Sequence, residues 1–183
     1  MGMRITIYAR ALASALTAAA TFAASAYVVS GGEGYPWTYA EQSDGTIVLG
    51  GNGNSAVTSD ISGAVVIPSS IKGKTVTAIG KYAFRNCRNI KTVEIPDSVK
   101  RIEEGAFFEC TLLRHVTIPE GLTDIEDMAF SECRDLADDQ GFVIVNDMLF
   151  GYYGQEVQVT VPSNVKRLSS HASDRAGDRT HGH

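Results

Sequence analysis

Apolar residues return at a fixed interval through the middle of the chain. The stretches IGKYAFRNC, IEEGAFFEC and IEDMAFSEC place an isoleucine, an Ala-Phe pair and a cysteine at the same spacing, and successive copies begin 23 residues apart. This regularity indicates a true internal repeat. The resulting columns are Ile79, Ile102 and Ile125; Phe84, Phe107 and Phe130; and Cys87, Cys110 and Cys133.

The first two of these cysteines are followed by the pattern Leu-x-x-Val-x-Ile-Pro, with isoleucine replacing leucine in the first copy. Apolar and polar residues alternate over residues 92–95 and 115–118, which predicts short strands that turn Val93 inward and Glu94 outward. The prolines that follow lack an amide hydrogen and should end the strands. The Ala-Phe-x-x-Cys spacing predicts one helical turn or a short 3₁₀ segment on the opposite side.

One such unit cannot bury its own apolar face, and a period of 23 residues is too short for a pair of helices. Stacking the units would join the phenylalanines and the cysteines into continuous core columns. We therefore expect a leucine-rich-repeat-like solenoid, with short parallel strands on one face and turns or short helical segments on the other.

The unit resembles the leucine-rich repeat of the BspA-like family of bacterial-type surface proteins, whose hallmark is Ile-Pro, then Ile-Gly, then Ala-Phe-x-x-Cys. The resemblance covers residues 64–168, which would be the solenoid. It implies an exported or surface-attached protein, since several members serve in adhesion or host contact. Residues 27–63 resemble the family's N-terminal β cap and loop. The residues available to cover the first unit are Trp37, Tyr39, Ile47 and Leu49.

The pattern changes after the last cysteine of the repeat. The run FVIVNDMLFGYY over residues 142–153 predicts a β-hairpin that turns at Asn146-Asp147. Further on, Ser173 stands where the next phenylalanine is due, and the residues beyond it are small and polar. We interpret residues 169–183 as a disordered tail or a truncated last repeat. The open end that this leaves could associate with another copy of the chain.

The first residues resemble an export signal. Arg4 and Arg10 form a positive flank, residues 11–24 are apolar, and small residues precede a cleavage point after Ala26. Residues 1–26 are therefore predicted to be a signal peptide, and the protein to be secreted or displayed at the cell surface. The alternative is an uncleaved membrane anchor that runs to Val29, which would be the only contact with a membrane.

Composition and motifs exclude several classes of function. A formal net charge of −5 gives no reason to expect binding of nucleic acid. We interpret the three cysteines as buried structural thiols, with a disulfide between neighbouring units or a metal site as alternatives. The acidic pairs Glu103-Glu104 and Glu126-Asp127 recur with the repeat and suit a solvated face rather than acid–base catalysis. No catalytic motif is present, so we expect neither an enzyme nor a cofactor.

The outward side chains of successive strands form two columns, which begin at Ala64 and Val66. Extended strand faces of this kind bind partners in other repeat proteins. We therefore expect a non-catalytic module that binds an extracellular protein or glycan. The alternative is a structural repeat that assembles through its open end. The candidate binding residues are Thr92, Glu94, His115, Thr117, Gln158 and Thr160.

Overall fold

A computed structural model describes residues 28–30, 37–51, 53–156, 158–170 and 172. The predicted signal peptide and the tail from residue 173 lie outside these described residues. The described chain contains short strands and one 3₁₀ helix, and no helix within it is long and apolar enough to cross a membrane. The strands are β1 Val28–Ser30, β2 Tyr39–Glu41, β3 Ile47–Leu49, β4 Ser62–Val66, β5 Ser70–Ile71, β6 Lys74–Ile79, β7 Asn89–Glu94, β8 Arg101–Ile102, β9 His115–Thr117, β10 Asp124–Ile125, β11 Phe142–Val145, β12 Met148–Tyr152 and β13 Arg167–Leu168, with the 3₁₀ helix at Arg134–Leu136.

The first sheet has the order β1-β4-β7-β9, and all its pairs are parallel. Thr92 lies opposite His115, and Glu94 lies opposite Thr117. Between them Val93 is buried, whereas Glu94 is exposed. The prediction of short parallel strands in this part of each repeat is confirmed.

A second sheet, which was not predicted, has the order β10-β8-β6-β3-β2. Its parallel register places Ile79 beside Ile102 and Ile102 beside Ile125. The isoleucine column therefore belongs to a row of short strands. Two of these, β8 and β10, are only two residues long, too short to show an alternating pattern in the sequence.

The core between the sheets contains a row of stacked rings. Phe84 and Phe107 lie with ring centroids 5.0 Å apart and an interplanar angle of 10°, and Phe107 and Phe130 lie 5.1 Å apart at 9°. Trp37 packs edge-on against one end of the row, and Phe150 packs edge-on against the other. The three stacked phenylalanines are fully buried. Burial of each ring stabilises the fold by roughly 1.5–3 kcal/mol, and each ring pair adds about 0.5–1.5 kcal/mol.

The Ala-Phe-x-x-Cys segments are successive turns, so the prediction of a helical turn is wrong. Each segment contains a residue in the left-handed region just before the cysteine: Asn86 at φ 62°, Glu109 at 61° and Glu132 at 64°. The amide of Phe84 donates to Ala106 O at 2.7 Å in the next repeat, and Phe107 donates likewise to Ala129 O. Amides committed to the neighbouring repeat cannot also close a helix.

The predicted hairpin is confirmed by the antiparallel pairing of β11 with β12. Its turn residues Asn146 and Asp147 have φ values of 48° and 62°, as a tight hairpin turn with two left-handed residues requires. β12 then pairs in parallel with β13, the last strand described. At the other end, β2 and β3 form an antiparallel hairpin, and β3 pairs in parallel with β6.

Candidate functional site

Four of the six candidate binding residues lie together on the first sheet. Because Thr92 and Glu94 pair in register with His115 and Thr117, the four side chains form two adjacent columns on the outer surface. We call these four residues the strand face. Glu94, His115 and Thr117 are exposed, and Thr92 is half-buried. The face is polar and can exchange hydrogen bonds with a partner.

Gln158 and Thr160 do not belong to the strand face. Their assignment to the two columns is wrong, because residues 158–160 form no strand in the structure and lie beside the hairpin instead. The physical reason is the hairpin itself. It interrupts the regular interval, so the position counted from the last Val-Pro pair no longer falls next to β9.

A groove lies between the hairpin and the chain that follows it, and its volume is about 780 Å³. We call it the hairpin groove. Its lining includes Gln140 from the loop before β11, Tyr152 from β12, and Gln155, Gln158 and Thr160 from the chain after the hairpin. Only Gln158 and Thr160 were candidates from the sequence. The available signal for the others was the polar Asp-Asp-Gln-Gly and Gly-Gln-Glu runs at the two ends of the hairpin.

A smaller groove of about 390 Å³ lies on the second sheet. Three charged groups in its walls already have partners. Arg101 contacts Glu103 at 2.9 Å, Lys100 Nζ donates to Asp97 O at 2.9 Å, and Asp44 accepts hydrogen bonds from Thr46 that lower the pKa of Asp44.

The cysteines are free thiols in the buried core. Cys110 Sγ donates to Phe84 O in the preceding repeat at 3.1 Å, and Cys133 Sγ donates to Phe107 O at 3.1 Å. Burial raises the pKa of Cys87 to about 12, and the contact with Cys133 together with burial raises the pKa of Cys110. Thiols kept protonated in this way are weak nucleophiles and weak metal ligands. Their position links adjacent repeats.

The acidic pairs hydrogen-bond to the neighbouring repeat. Glu103 accepts the backbone N–H of Lys81 at 3.0 Å, and Glu126 accepts that of Glu104 at 3.1 Å. Glu104 also contacts Lys81 Nζ at 2.7 Å and the hydroxyl of Tyr82, and these hydrogen bonds, that of Lys81 first, lower the pKa of Glu104. The carboxylates therefore accept hydrogen bonds from backbone N–H groups in the turns, in addition to being partly exposed to water.

Asp127 joins the third repeat to the last part of the described chain. Its carboxylate accepts hydrogen bonds from the hydroxyls of Ser169 and Ser170 and from the amides of Ser170 and Met128, both at 2.9 Å. Partial burial raises the pKa of the Asp127 carboxyl, but these hydrogen bonds outweigh it and lower the pKa to about 2. The carboxylate is therefore ionised at any physiological pH. Its role is to hold the last coil in place.

No group of three or more His, Cys, Asp and Glu side chains within the described chain is arranged to hold a metal ion.

Residues 66–175 match the BspA type leucine-rich repeat region, in six copies. Among solved structures, a leucine-rich repeat protein from T. pallidum is 29% identical with a TM-score of 0.54; the match covers 73% of this chain and 62% of that one. A leucine-rich repeat protein from Bacteroides capillosus ATCC 29799 is 26% identical with a TM-score of 0.51, over 74% of this chain and 84% of that one. A third, from Bacteroides ovatus ATCC 8483, shares the fold at 24% identity and a TM-score of 0.52, over 74% of this chain and 36% of that one. No curated protein matches the chain.

Proposed function

Because the chain belongs to the BspA-type leucine-rich repeat family, we propose that it is an exported, non-catalytic binding module that contacts an extracellular protein through the strand face. The observation that supports this is the in-register exposure of Glu94, His115 and Thr117 on adjacent parallel strands. A repeated face of this kind presents an extended surface, and extended strand surfaces bind partners in other repeat proteins.

The position of β9 adds support to the proposal. Within the described chain β9 has a strand neighbour on one side only, so its outer edge can accept backbone hydrogen bonds from an extended segment of a partner. The side chains of His115 and Thr117 stand on the same strand and would contact that segment. Backbone pairing and side-chain contacts would then act on one partner together.

The experiment is a binding screen of the chain from residue 27 onward against extracellular proteins, with surface plasmon resonance as the readout. The test variant carries Glu94→Ala, His115→Ala and Thr117→Ala together. All three side chains are exposed, so the variant should fold and keep its melting temperature. We expect a saturable interaction that this variant weakens by at least about tenfold.

The matched control carries Gln42→Ala, Ser43→Ala and Asp124→Ala, which are exposed residues around the second sheet. This control should bind as the unchanged chain does. If both triple variants bind equally well, or if no protein binds while the chain is folded, the strand face is not the binding surface.

We also propose that the repeats form a solenoid and that residues 27–63 act as its N-terminal cap. Trp37 is buried, and its ring centroid lies 6.2 Å from that of Phe84, the first ring of the stacked row. Ile47 and Leu49 are buried as well. Truncation of Trp37 to alanine should expose this end of the core and lower the melting temperature.

A second candidate function is assembly through the last coil. Leu168 is 65% exposed although it stands in β13, the last strand described. Within the described chain β13 also has a strand neighbour on one side only, and an unpaired strand edge favours pairing with a second copy. Concentration-dependent dimers in analytical ultracentrifugation that disappear in Leu168→Glu would support assembly, whereas a monomer at all concentrations would exclude it.

A further inference from the structure

We propose that the hairpin groove is a second binding site and that its ligand is a short neutral oligosaccharide. This inference does not depend on the strand face, since the groove lies on a different part of the molecule and is made by different residues.

The groove is formed in advance by two loops in direct contact. A Cβ atom added to Gly141 would collide with the backbone of Gly154, so the loops before and after the hairpin cross at these glycines. The amide of Tyr153 donates to Gly141 O at 2.7 Å and fastens the crossing. The Asp138 carboxylate accepts the amides of Gln140 and Phe142 at 2.9 Å each and holds the first loop. A site held open by such bonds requires little ordering when a ligand binds.

The groove contains an aromatic surface. Tyr152 is half-buried and lines the groove. Its ring centroid lies 4.9 Å from that of the buried Phe142. The electron-rich face of an aromatic ring attracts weakly positive C–H groups, which the apolar faces of sugar rings present. The part of this ring that stays exposed in the groove would give one sugar residue a stacking position.

Neutral hydrogen-bonding groups surround this aromatic ring. Gln140, Gln155, Gln158 and Thr160 are exposed, and none of their side chains makes a hydrogen bond to another residue within the described chain. Carboxamides and hydroxyls both donate and accept, as sugar hydroxyls do. Unused groups of both kinds around one ring match a ligand with many hydroxyls better than they match an apolar molecule.

The charges in the groove select against acidic ligands. Asp138, Asp139 and Glu156 add negative charge to the lining. The Arg134 guanidinium lies 3.3 Å from a Glu132 carboxylate oxygen and over the ring of Tyr153. A sulfated or sialylated glycan would meet repulsion from these three carboxylates. A volume of about 780 Å³ lies in the range for small-molecule sites. A neutral oligosaccharide fits both the charge and the size.

The test measures binding of the full chain to a panel of neutral hexose oligomers by isothermal titration calorimetry. Sialylated and sulfated oligosaccharides and a cationic peptide serve as comparison ligands. The groove variant carries Gln140→Ala and Gln158→Ala, two exposed residues whose loss should leave the melting temperature unchanged. We expect at least one neutral oligomer to bind and the groove variant to raise its Kd about tenfold.

Two controls separate this site from the strand face. Gln42→Ala removes an exposed glutamine from the other groove and should bind the oligomer normally. The Glu94, His115 and Thr117 triple-alanine variant should also retain oligosaccharide binding, whether or not it loses a protein partner. The proposal is overturned if no neutral oligomer binds at millimolar concentration to the folded chain, if only the charged ligands bind, or if the groove variant binds as tightly as the unchanged chain.

Discussion

The third and the last repeats differ in what covers them, although both place an aliphatic residue in a short strand. Ile125 in β10 is 2% exposed, whereas Leu168 in β13 is 65% exposed. Ile125 is followed by Phe130, which continues the stacked row. Leu168 is followed by Ser169 and Ser170, which bind Asp127 through hydrogen bonds. The central repeats are therefore held by apolar stacking, and the last coil is held by polar contacts to its neighbour.

The comparison teaches that an apolar residue in the correct column contributes stability only where another part of the chain covers it: Ile125 is buried although β10 is an edge strand of its sheet, whereas Leu168 is exposed. Burial supplies most of the free energy of folding, while a hydrogen bond exchanged with water contributes about 0.5–1.5 kcal/mol. The last coil should consequently open before the central repeats do. The four predictions below test this difference, from the largest expected effect to the smallest.

The largest effect should come from the stacked row. Phe107→Ala removes a fully buried ring that stacks on Phe84 and on Phe130, and should lower the free energy of unfolding by roughly 3–5 kcal/mol. Phe108→Ala is the matched control, because Phe108 is the next residue but is only partly buried. Phe108→Ala should lower the free energy of unfolding by about 1 kcal/mol. Urea unfolding followed by circular dichroism measures both, and equal losses would contradict the stacked core.

The isoleucine column gives the direct test of the comparison. Ile102→Ala should cost about 2–5 kcal/mol because Ile102 is fully buried between two neighbouring strands. Leu168→Ala should change stability by no more than about 0.5 kcal/mol. The same unfolding measurement applies. A large loss in the Leu168 variant would mean that the last coil is covered as well as the central ones.

The buried thiols should make the central repeats sensitive to alkali. The pKa of Cys87 is raised to about 12 from an ordinary value of 9.0, so its protonated form stabilises the fold fully below pH 9. This stability is lost as the pH rises from 9 toward 12, because only the unfolded chain ionises readily. Chemical unfolding across that range should show the decline, and Cys87→Ala should reduce it. A thiol reagent that modifies the folded protein rapidly at neutral pH would contradict the burial.

Among the interactions expected to stabilise the fold, the smallest effect should come from Asp127. Its pKa is lowered to about 2 from 3.8, so the ionised carboxylate stabilises the fold above pH 3.8 and less as the pH falls toward 2. Asp127→Asn should cost about 1 kcal/mol and increase hydrogen exchange at the Ser169 and Ser170 amides. Asp124→Asn, in an exposed strand position nearby, is the control and should leave that exchange unchanged.

The sequence permits prediction of those features that depend on the interval alone. The columns of Phe84, Phe107 and Phe130 stack because each returns after the same number of residues, and the parallel strands follow for the same reason. The form of the turns could not be predicted, because an i, i+3 spacing suits a helical turn and a pair of tight turns equally. The left-handed conformation at Asn86 and Glu109, which separates the two, depends on hydrogen bonds to the next repeat.

The candidate binding residues fall into two groups, those within the regular repeats and those after the hairpin. Thr92 and Thr117 lie within the regular repeats, and counting along the interval places them on one face. Gln158 and Thr160 come after an insertion, where counting fails. The hairpin groove could not be predicted because it arises where two loops cross at Gly141 and Gly154, and no local pattern indicates that distant contact.

The parallel register also sets how this molecule can change in length. Removing residues 80–102 would join Ile79 to Glu103, and Phe107 would then take the place of Phe84 beside Trp37. Backbone donors in the shortened chain would meet acceptors of the same kind in the same geometry. Recombination within the gene could therefore shorten or lengthen the protein by whole multiples of one repeat while its two ends stayed intact.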